Sequence, residues 1–426
     1  MSKELHIDFK GQKLKGTLIT EDEKTLTLKL SSGYNAVLNK SEITVSQEKI
    51  HTDATKKVVT TKIDSNLPKI VIIHTGGTIA SKVDYATGAV SSKFSPEELI
   101  AMYPELLTKA NISAKKIGNM FSEDIRFAHY NVMIKEVLSA LKESPIGIII
   151  SHGTDTMHYT SSALSYALQH LPVPILLVGA QRSSDRPSSD AYSNLSTAVD
   201  FLIENSKKEN AYRRVGICMH KSLSDTEFVV LDGINAKKLH TTRRDAFKPV
   251  NVLPFAIISS GKVQILREEL LSVKPSNKVE STLFDESLKI GFFKTHPNLF
   301  PQEIEALSIY DAVIIEGTGL GHIAINEVDE NTKLHPKNLK ALEQLAKKIP
   351  VVMSSQCVFG QTNMNVYSTG RYQLDAGVLG NYSLISSEST FIKVAYCLSK
   401  DRKKFKDLFE SNLEGFSIRN IETKED

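Results

Sequence analysis

Hydroxyls set beside glycine turns are the first residues with chemical potential in this chain. His74-Thr75-Gly76-Gly77-Thr78-Ile79-Ala80 follows directly on the apolar run KIVII. Two glycines there let backbone N–H groups approach a ligand oxygen with no side chain between them. A threonine hydroxyl among such amides suits acyl transfer, provided that a base removes its proton and preorganised donors await the oxyanion. The same residues also suit a phosphate-binding turn or a plain strand–helix connection, because glycine turns commonly follow strands. Neither Gly-x-x-x-x-Gly-Lys-Ser/Thr nor Gly-x-Gly-x-x-Gly occurs at this position, which argues against nucleotide binding.

A second element, Ser151-His152-Gly153-Thr154-Asp155-Thr156, again follows an apolar run, IGIII. It offers a hydroxyl beside a carboxylate. An uncharged lysine held near Asp155 would serve as base, with Asp155 fixing the ammonium that forms and Thr154 passing the proton or orienting a water. Asp and Thr at the start of a helix are also ordinary N-caps. His152 and His158 match no helical metal-ligand spacing and have no cysteine nearby, so a metal site is the weaker reading.

These loops need elements to hold them. From Lys69 onward, KIVIIHTGGTIA, IGIIISHGTDT and VPILLVGAQRS are continuous apolar runs entering loops rich in hydroxyls and glycine. Between them, NVMIKEVLSALKES carries Val132, Met133, Val137, Leu138 and Leu141 near helical spacing. Buried strands with intervening helices predict an α/β fold with a parallel sheet, and ligands bind beyond the carboxyl ends of such strands. A second α/β unit begins with AVIIEGTGLGH and PVVMSSQCVFG, separated by a helix carrying Leu339, Leu342 and Leu345. SESTFIKVAYCLSK reads as a closing helix.

The first fifty residues differ in grammar. LHIDF, KLKGTLIT, KTLTLKL and NAVLN are short β-type runs that predict a small β-barrel over residues 1–50, followed by a polar linker over 51–68. The large α/β domain is expected over 69–260 and the smaller one over 285–426.

Composition bounds the rest. A chain of 426 residues with 41% hydrophobic and 24% charged residues suits a large soluble protein of two or three domains. Its N-terminus has no apolar segment of signal-peptide length and no run long enough to cross a bilayer, so the cytoplasm is the expected compartment. The net charge of +3 gives no general case for nucleic-acid binding. Local basic clusters at Arg213-Arg214, Arg243-Arg244 and residues 400–406 read as solvated faces. Cys218, Cys357 and Cys397 fall in no Cys-x-x-Cys pair and read as buried thiols.

TGGTIAS at residues 75–81 and HGTDT at 152–156 together resemble the two signature motifs of the bacterial-type L-asparaginase and glutaminase family. The resemblance runs from about Lys69 to near Lys403 and implies that family's two-unit fold. It places the nucleophile on Thr75 and matches Thr154 and Asp155 to the second catalytic pair. LDGINAKK matches the turn before the family's catalytic lysine, implying Lys238, with Lys237 adjacent. Gly77, Thr78, Tyr85 in SKVDYATGAV, and Ser122-Glu123 in MFSEDI match substrate-binding positions; many plain asparaginases carry Gln where Glu123 stands. No metal is implied.

The order of small β-domain, linker and asparaginase-like body resembles, within this family, the D subunits of archaeal glutamyl-tRNA(Gln) amidotransferases. That resemblance implies a glutaminase that forms a γ-glutamyl ester and supplies ammonia to a partner E subunit, in a heterodimer that pairs into a heterotetramer. Glutamine would be its small-molecule substrate, and Glu-tRNA(Gln) would be reached through the complex. No cofactor is implied for this chain, and ATP and Mg2+ would be used by the partner. A free-standing cytosolic L-asparaginase is the alternative enzyme. An RNA-binding protein with a silent α/β scaffold is a third reading, against which Thr75, Thr154, Asp155 and Lys238 all stand intact.

Overall fold

Alternation of apolar and polar residues at the N-terminus produces a five-stranded antiparallel sheet. Its strands are β1 (Ser2–Phe9), β2 (Gln12–Glu21), β3 (Thr25–Leu30), β4 (Asn35–Asn39) and β5 (Ile43–His51), in the order β4-β3-β2-β1-β5. The computed structural model describes residues 2–30, 35–51, 64–76, 81–83, 90–92, 103–182, 189–272 and 278–413. Leu5, Ile7, Leu26, Leu28 and Leu38 project into one small core that belongs to this sheet. The expected linker falls mostly outside the described residues.

The large sheet opens with β6 (Lys69–Gly76), followed in the chain by β7 (Asn111–Met120), β8 (Gly147–Ser151), β9 (Ile175–Val178), β10 (Val215–His220) and β11 (Glu227–Asp232). A small ladder of β12 (Ala236–Lys238) with β13 (Phe247–Pro249) precedes the last two sheet strands, β14 (Ala256–Ser259) and β15 (Lys262–Ile265). The spatial order is β15-β14-β11-β10-β9-β8-β6-β7.

The strands from β7 to β10 in that spatial order run parallel to one another; β10, β11, β14 and β15 are joined antiparallel. The expectation of a parallel sheet is thus met in one half. The reason lies in the connections: α1 (Phe127–Leu141), α2 (Met157–Ala167) and α3 (Ala191–Ser206) cross over between parallel strands, whereas a short turn joins β10 to β11. β15 also carries the sheet beyond residue 260.

Alternate residues of the parallel strands feed two cores. Val71, Ile73, Ile148 and Ile150 face the core that α1 and α2 cover, whereas Ile70, Ile72, Ile149 and Leu176 face α3. On α1, Met133 and Val137 are buried while Val132 faces solvent.

The smaller unit contains a parallel sheet of β16 (Ile290–Lys294), β17 (Ala312–Gly317) and β18 (Val351–Ser355). Helices α4 (Pro301–Ala306), α5 (His335–Ala346) and α6 (Ser368–Asp375) accompany it. Leu342 and Leu345 of α5 enter its core. The closing helix α7 (Ser387–Asp401) and the short α8 (Phe405–Glu410) instead send Ile392, Val394, Ala395 and Phe405 into the core shared with Met157 and Leu164 of α2. The C-terminal segment therefore clasps the large domain.

Cys218 and Cys397 are buried as expected, but Cys357 is exposed. It follows β18 on a loop that leaves the sheet, beyond the apolar strand that would cover it. The basic clusters are partly neutralised by ion pairs: Arg214 pairs with Asp232, Arg243 with Asp245, Arg244 with Asp225, and Arg402 with Asp311. Among the described residues, no helix is long and apolar enough to cross a membrane.

Candidate active site

Parallel register brings the two hydroxyl motifs to one edge. His74 on β6 pairs with Ser151 on β8, and Ser151 pairs with Val178 on β9, so β8 and β9 end level with each other while β6 runs two residues further, to Gly76. Thr75 is 1% exposed, and its Oγ1 donates to the Ser151 carbonyl at 2.9 Å. Gly76 follows at φ +116, where a Cβ would stand 2.4 Å from the Met120 nitrogen. That close approach to β7 and the positive φ both demand glycine.

The loop after β8 carries the second motif. Lys238 on β12 donates from Nζ to Thr154 Oγ1 at 2.8 Å and to Asp155 Oδ1 at 2.6 Å. The lysine side chain is 8% exposed, whereas the Asp155 side chain is 66% exposed. The ammonium thus sits at a wall of the site with one face to protein and the carboxylate toward water. Lys237 cannot substitute for it in this arrangement. Adjacent strand residues point to opposite sides, and Lys237 Nζ instead reaches both oxygens of Glu388, at 2.7 and 2.8 Å.

Ser122 and Glu123 lie on the turn after β7. Ser122 is buried, and its carbonyl accepts from Thr156 Oγ1 at 2.6 Å. A Cβ on Gly153 would meet Ser122 Cβ at 2.9 Å, so this turn presses directly on the second motif. Glu123 is exposed beside it. Gly77, Thr78 and Tyr85 lie outside the described residues.

The histidines of the two motifs serve the scaffold. His152 is fully buried, with Nδ1 2.6 Å from the Gly153 carbonyl and Nε2 2.8 Å from Thr160 Oγ1. A carbonyl only accepts, so Nδ1 carries the proton and Nε2 accepts from the threonine, which leaves no lone pair for a metal. Burial pushes its pKa down to about 4 despite the Gly153 bond. His74 shares a 2.6 Å bond with Ser151 Oγ through Nδ1, and burial, with help from Lys116, also lowers it to about 4. Among the described residues, no cluster of three or more His, Cys, Asp or Glu side chains is arranged to hold a metal.

The geometry therefore brings together Thr154, Asp155 and Lys238 by direct hydrogen bonds, and sets Thr75 at the end of β6 and Ser122 on the turn after β7 beside them. The whole architecture has relatives. Residues 69–271 match the family described as asparaginase, N-terminal, and residues 289–409 match the glutaminase/asparaginase C-terminal domain. Over 418 residues the chain is 37% identical to the D subunit of glutamyl-tRNA(Gln) amidotransferase from Methanosphaera stadtmanae, covering 96% of this chain and 91% of that protein. The protein of the same name from Pyrococcus furiosus is 37% identical over 399 residues, covering 92% of this chain and 87% of its own. The chain belongs to the D-subunit family of glutamyl-tRNA(Gln) amidotransferases.

Solved structures agree on the body of that family's fold. The thermostable L-asparaginase from Thermococcus kodakarensis superposes with a TM-score of 0.69 at 25% identity, covering 82% of this chain and 98% of its own. L-asparaginase I from Vibrio cholerae matches at a TM-score of 0.67 and 24% identity over 81% of this chain and 97% of its own, a likeness of fold.

Sequence reasoning missed Glu388 and the serines that hold the Lys238 strand. The sequence left Lys237 and Lys238 adjacent; the strand over Ala236–Lys238 is what turns them to opposite sides, and nothing local marked the partner of Lys237. Glu388 is 151 residues away in the chain.

Proposed function

We propose that this chain is the glutaminase subunit of a tRNA-dependent amidotransferase. Glutamine would bind beside Thr75, with Ser122 and Glu123 receiving its α-carboxylate and α-amino groups. Thr75 Oγ1 attacks the side-chain amide carbon, the C–N bond breaks, and a γ-glutamyl ester forms as ammonia leaves. Water then cleaves the ester, releasing glutamate and restoring the threonine.

The observation that carries this reading is the Lys238–Thr154–Asp155 contact at the same sheet edge as Thr75. A nucleophilic hydroxyl needs a proton acceptor, and a neutral Lys238 amine can take that proton through Thr154 while Asp155 stabilises the ammonium produced. In the structure the Thr75 hydroxyl points at a backbone carbonyl, which accepts a hydrogen bond but cannot act as a base. Attack therefore requires the hydroxyl to turn from Ser151 toward the substrate and its proton relay.

Ammonia would pass to a partner E subunit, which activates the glutamate of Glu-tRNA(Gln) with ATP and Mg2+ in the cytoplasm. The two chains form a heterodimer that pairs into a heterotetramer. This chain contributes no cofactor. The Methanosphaera stadtmanae relative named as a D subunit supports the assignment by matching the N-terminal sheet as well as the body, since an alignment covering 96% of the chain leaves out too little to omit it. A free-standing L-asparaginase is the second reading, favoured by the Thermococcus kodakarensis neighbour, whose superposition leaves about a fifth of this chain uncovered.

The deciding experiment measures hydrolysis of glutamine and asparagine by the purified chain, with and without the E subunit and Glu-tRNA(Gln). Glutamine-dependent formation of Gln-tRNA(Gln) only in the complete mixture is expected. Full asparaginase activity with no response to the partner would overturn the assignment.

A further inference from the structure

A set of buried hydroxyls grips the turn that leads into Lys238. Ser161 Oγ on α2 donates to the Gly233 carbonyl at 2.7 Å, and Ser162 Oγ lies 3.2 Å from the same oxygen. Ser389 Oγ on α7 donates to the Ile234 carbonyl at 2.5 Å and accepts from Ser162 Oγ at 2.7 Å. All three serines are at most 1% exposed. A Cβ on Gly233 would stand 2.5 Å from Ser165 Oγ, so the turn has no room to drift toward α2.

Just beyond this turn comes the Lys237–Glu388 ion pair, with side chains 18% and 15% exposed. Burial pushes the Glu388 carboxyl up, but the Lys237 ammonium outweighs it and holds the group below its ordinary value. Two long side chains taken this far from water hold a defined geometry, because parting them would leave both charges poorly solvated. The strand they anchor is short. β12 is held by a ladder of only three residue pairs with β13, and a one-residue slip would send Lys237 toward Thr154 and Lys238 away from it.

We propose that Glu388 is a positioning residue for Lys238. By holding Lys237 on the opposite side of β12, it fixes the register and roll of the strand so that the Lys238 ammonium lands between Thr154 and Asp155. The two ends of that contact share one frame: α2 begins just after Asp155, Glu388 sits in the first turn of α7, and α7 packs against α2. The smaller unit's closing helix thereby sets the geometry of a residue in the large domain. This inference rests on the reading of Lys238 as the base for amide hydrolysis.

The test uses the full chain, alone and with its partner. Glu388→Gln keeps the shape of the side chain and removes its charge. The double variant Lys237→Met/Glu388→Leu removes both charges and so avoids leaving one of them buried alone. Both are expected to lower kcat for glutamine by about 10- to 100-fold, with KM changed less than about threefold, as for other residues that orient a catalytic group. Glu388→Asp is expected to recover part of the rate. A lysine-selective acylating reagent, mapped by mass spectrometry, should modify Lys238 several-fold faster in the two charge-removing variants. Wild-type kcat or unchanged Lys238 labelling in the double variant would overturn the proposal. So would a rise in KM as large as the fall in kcat, which marks general structural damage. If the wild-type chain hydrolyses neither amide under any condition, the functional reading fails by itself, and the labelling alone decides whether Glu388 positions Lys238.

Discussion

Replacing Lys238 by Met should separate catalysis from stability, and the structure lets both magnitudes be worked out. The substitution deletes two hydrogen bonds, to Thr154 Oγ1 and Asp155 Oδ1. Asp155 is two-thirds exposed, so water replaces its lost partner and that half of the contact is worth at most about 1 kcal/mol. Thr154 is 6% exposed and loses one neutral-acceptor bond, worth roughly 1 kcal/mol more. The methionine refills most of the apolar volume of the lysine stem. Stability in guanidinium chloride should therefore fall by no more than about 2 kcal/mol. Amide hydrolysis should fall by roughly 10²- to 10⁴-fold, the range for loss of a general base. Lys237→Met supplies the contrast: it strands a Glu388 carboxylate whose side chain is 15% exposed, and should cost about 3 kcal/mol or more. The assay is ammonia release from glutamine alongside chemical unfolding of the same preparations. If Lys238→Met keeps kcat within about tenfold of the parent, or destabilises the fold more than Lys237→Met does, the assignment of the two lysines is wrong.

Thr75→Ala should abolish hydrolysis in both amide assays while its circular dichroism stays that of the parent, because among the described residues the side chain loses only its hydrogen bond to the Ser151 carbonyl. Gly76→Ala should destabilise the large domain by about 2–4 kcal/mol, since the new methyl meets the Met120 backbone at a positive φ; a shift under about 1 kcal/mol in unfolding free energy would show that β6 and β7 can part. A chain starting near Thr61 should fold and hydrolyse glutamine at a residual rate but lose stimulation by the E subunit or tRNA, since β1–β5 enclose a core of their own; pull-down and Gln-tRNA formation test this. Stability should also depend on pH through His74, His152 and His158, each lowered from about 6.5 to about 4, chiefly by burial. A depressed folded pKa means that the unfolded chain binds the proton first, so stability is full above about pH 6.5 and is lost as pH falls toward about 4. His152→Gln should flatten that slope in unfolding midpoints measured across this window.

Much of the site was legible before any coordinates, and the reason is local. KIVII and IGIII are continuous apolar runs that can only be buried strands, and the glycines after them mark where the chain must turn tightly. A hydroxyl at such a turn lies at the carboxyl edge of the sheet, so pattern put Thr75 and Thr154 at that edge, and the family resemblance supplied their candidate roles. The closing helix and the separate N-terminal β-domain followed from periodicity in the same way. The reading of all three cysteines as buried failed at Cys357, because a residue just past the end of a strand lies beyond the reach of that strand's burial.

What tertiary structure decided was pairing across distance. Apolar runs do not record strand direction, so the antiparallel half of the large sheet emerged only from which connections carry helices. The alignment of β6 with the ends of β8 and β9, which seats Thr75 beside the second motif, is a matter of register between strands far apart in the chain. The choice between Lys237 and Lys238 turned on which side of β12 faces Asp155 and which faces Glu388 on the last long helix. Side-chain type and spacing identify groups able to do chemistry; their neighbours are set by the packing of helices onto a sheet, which no local window of sequence contains.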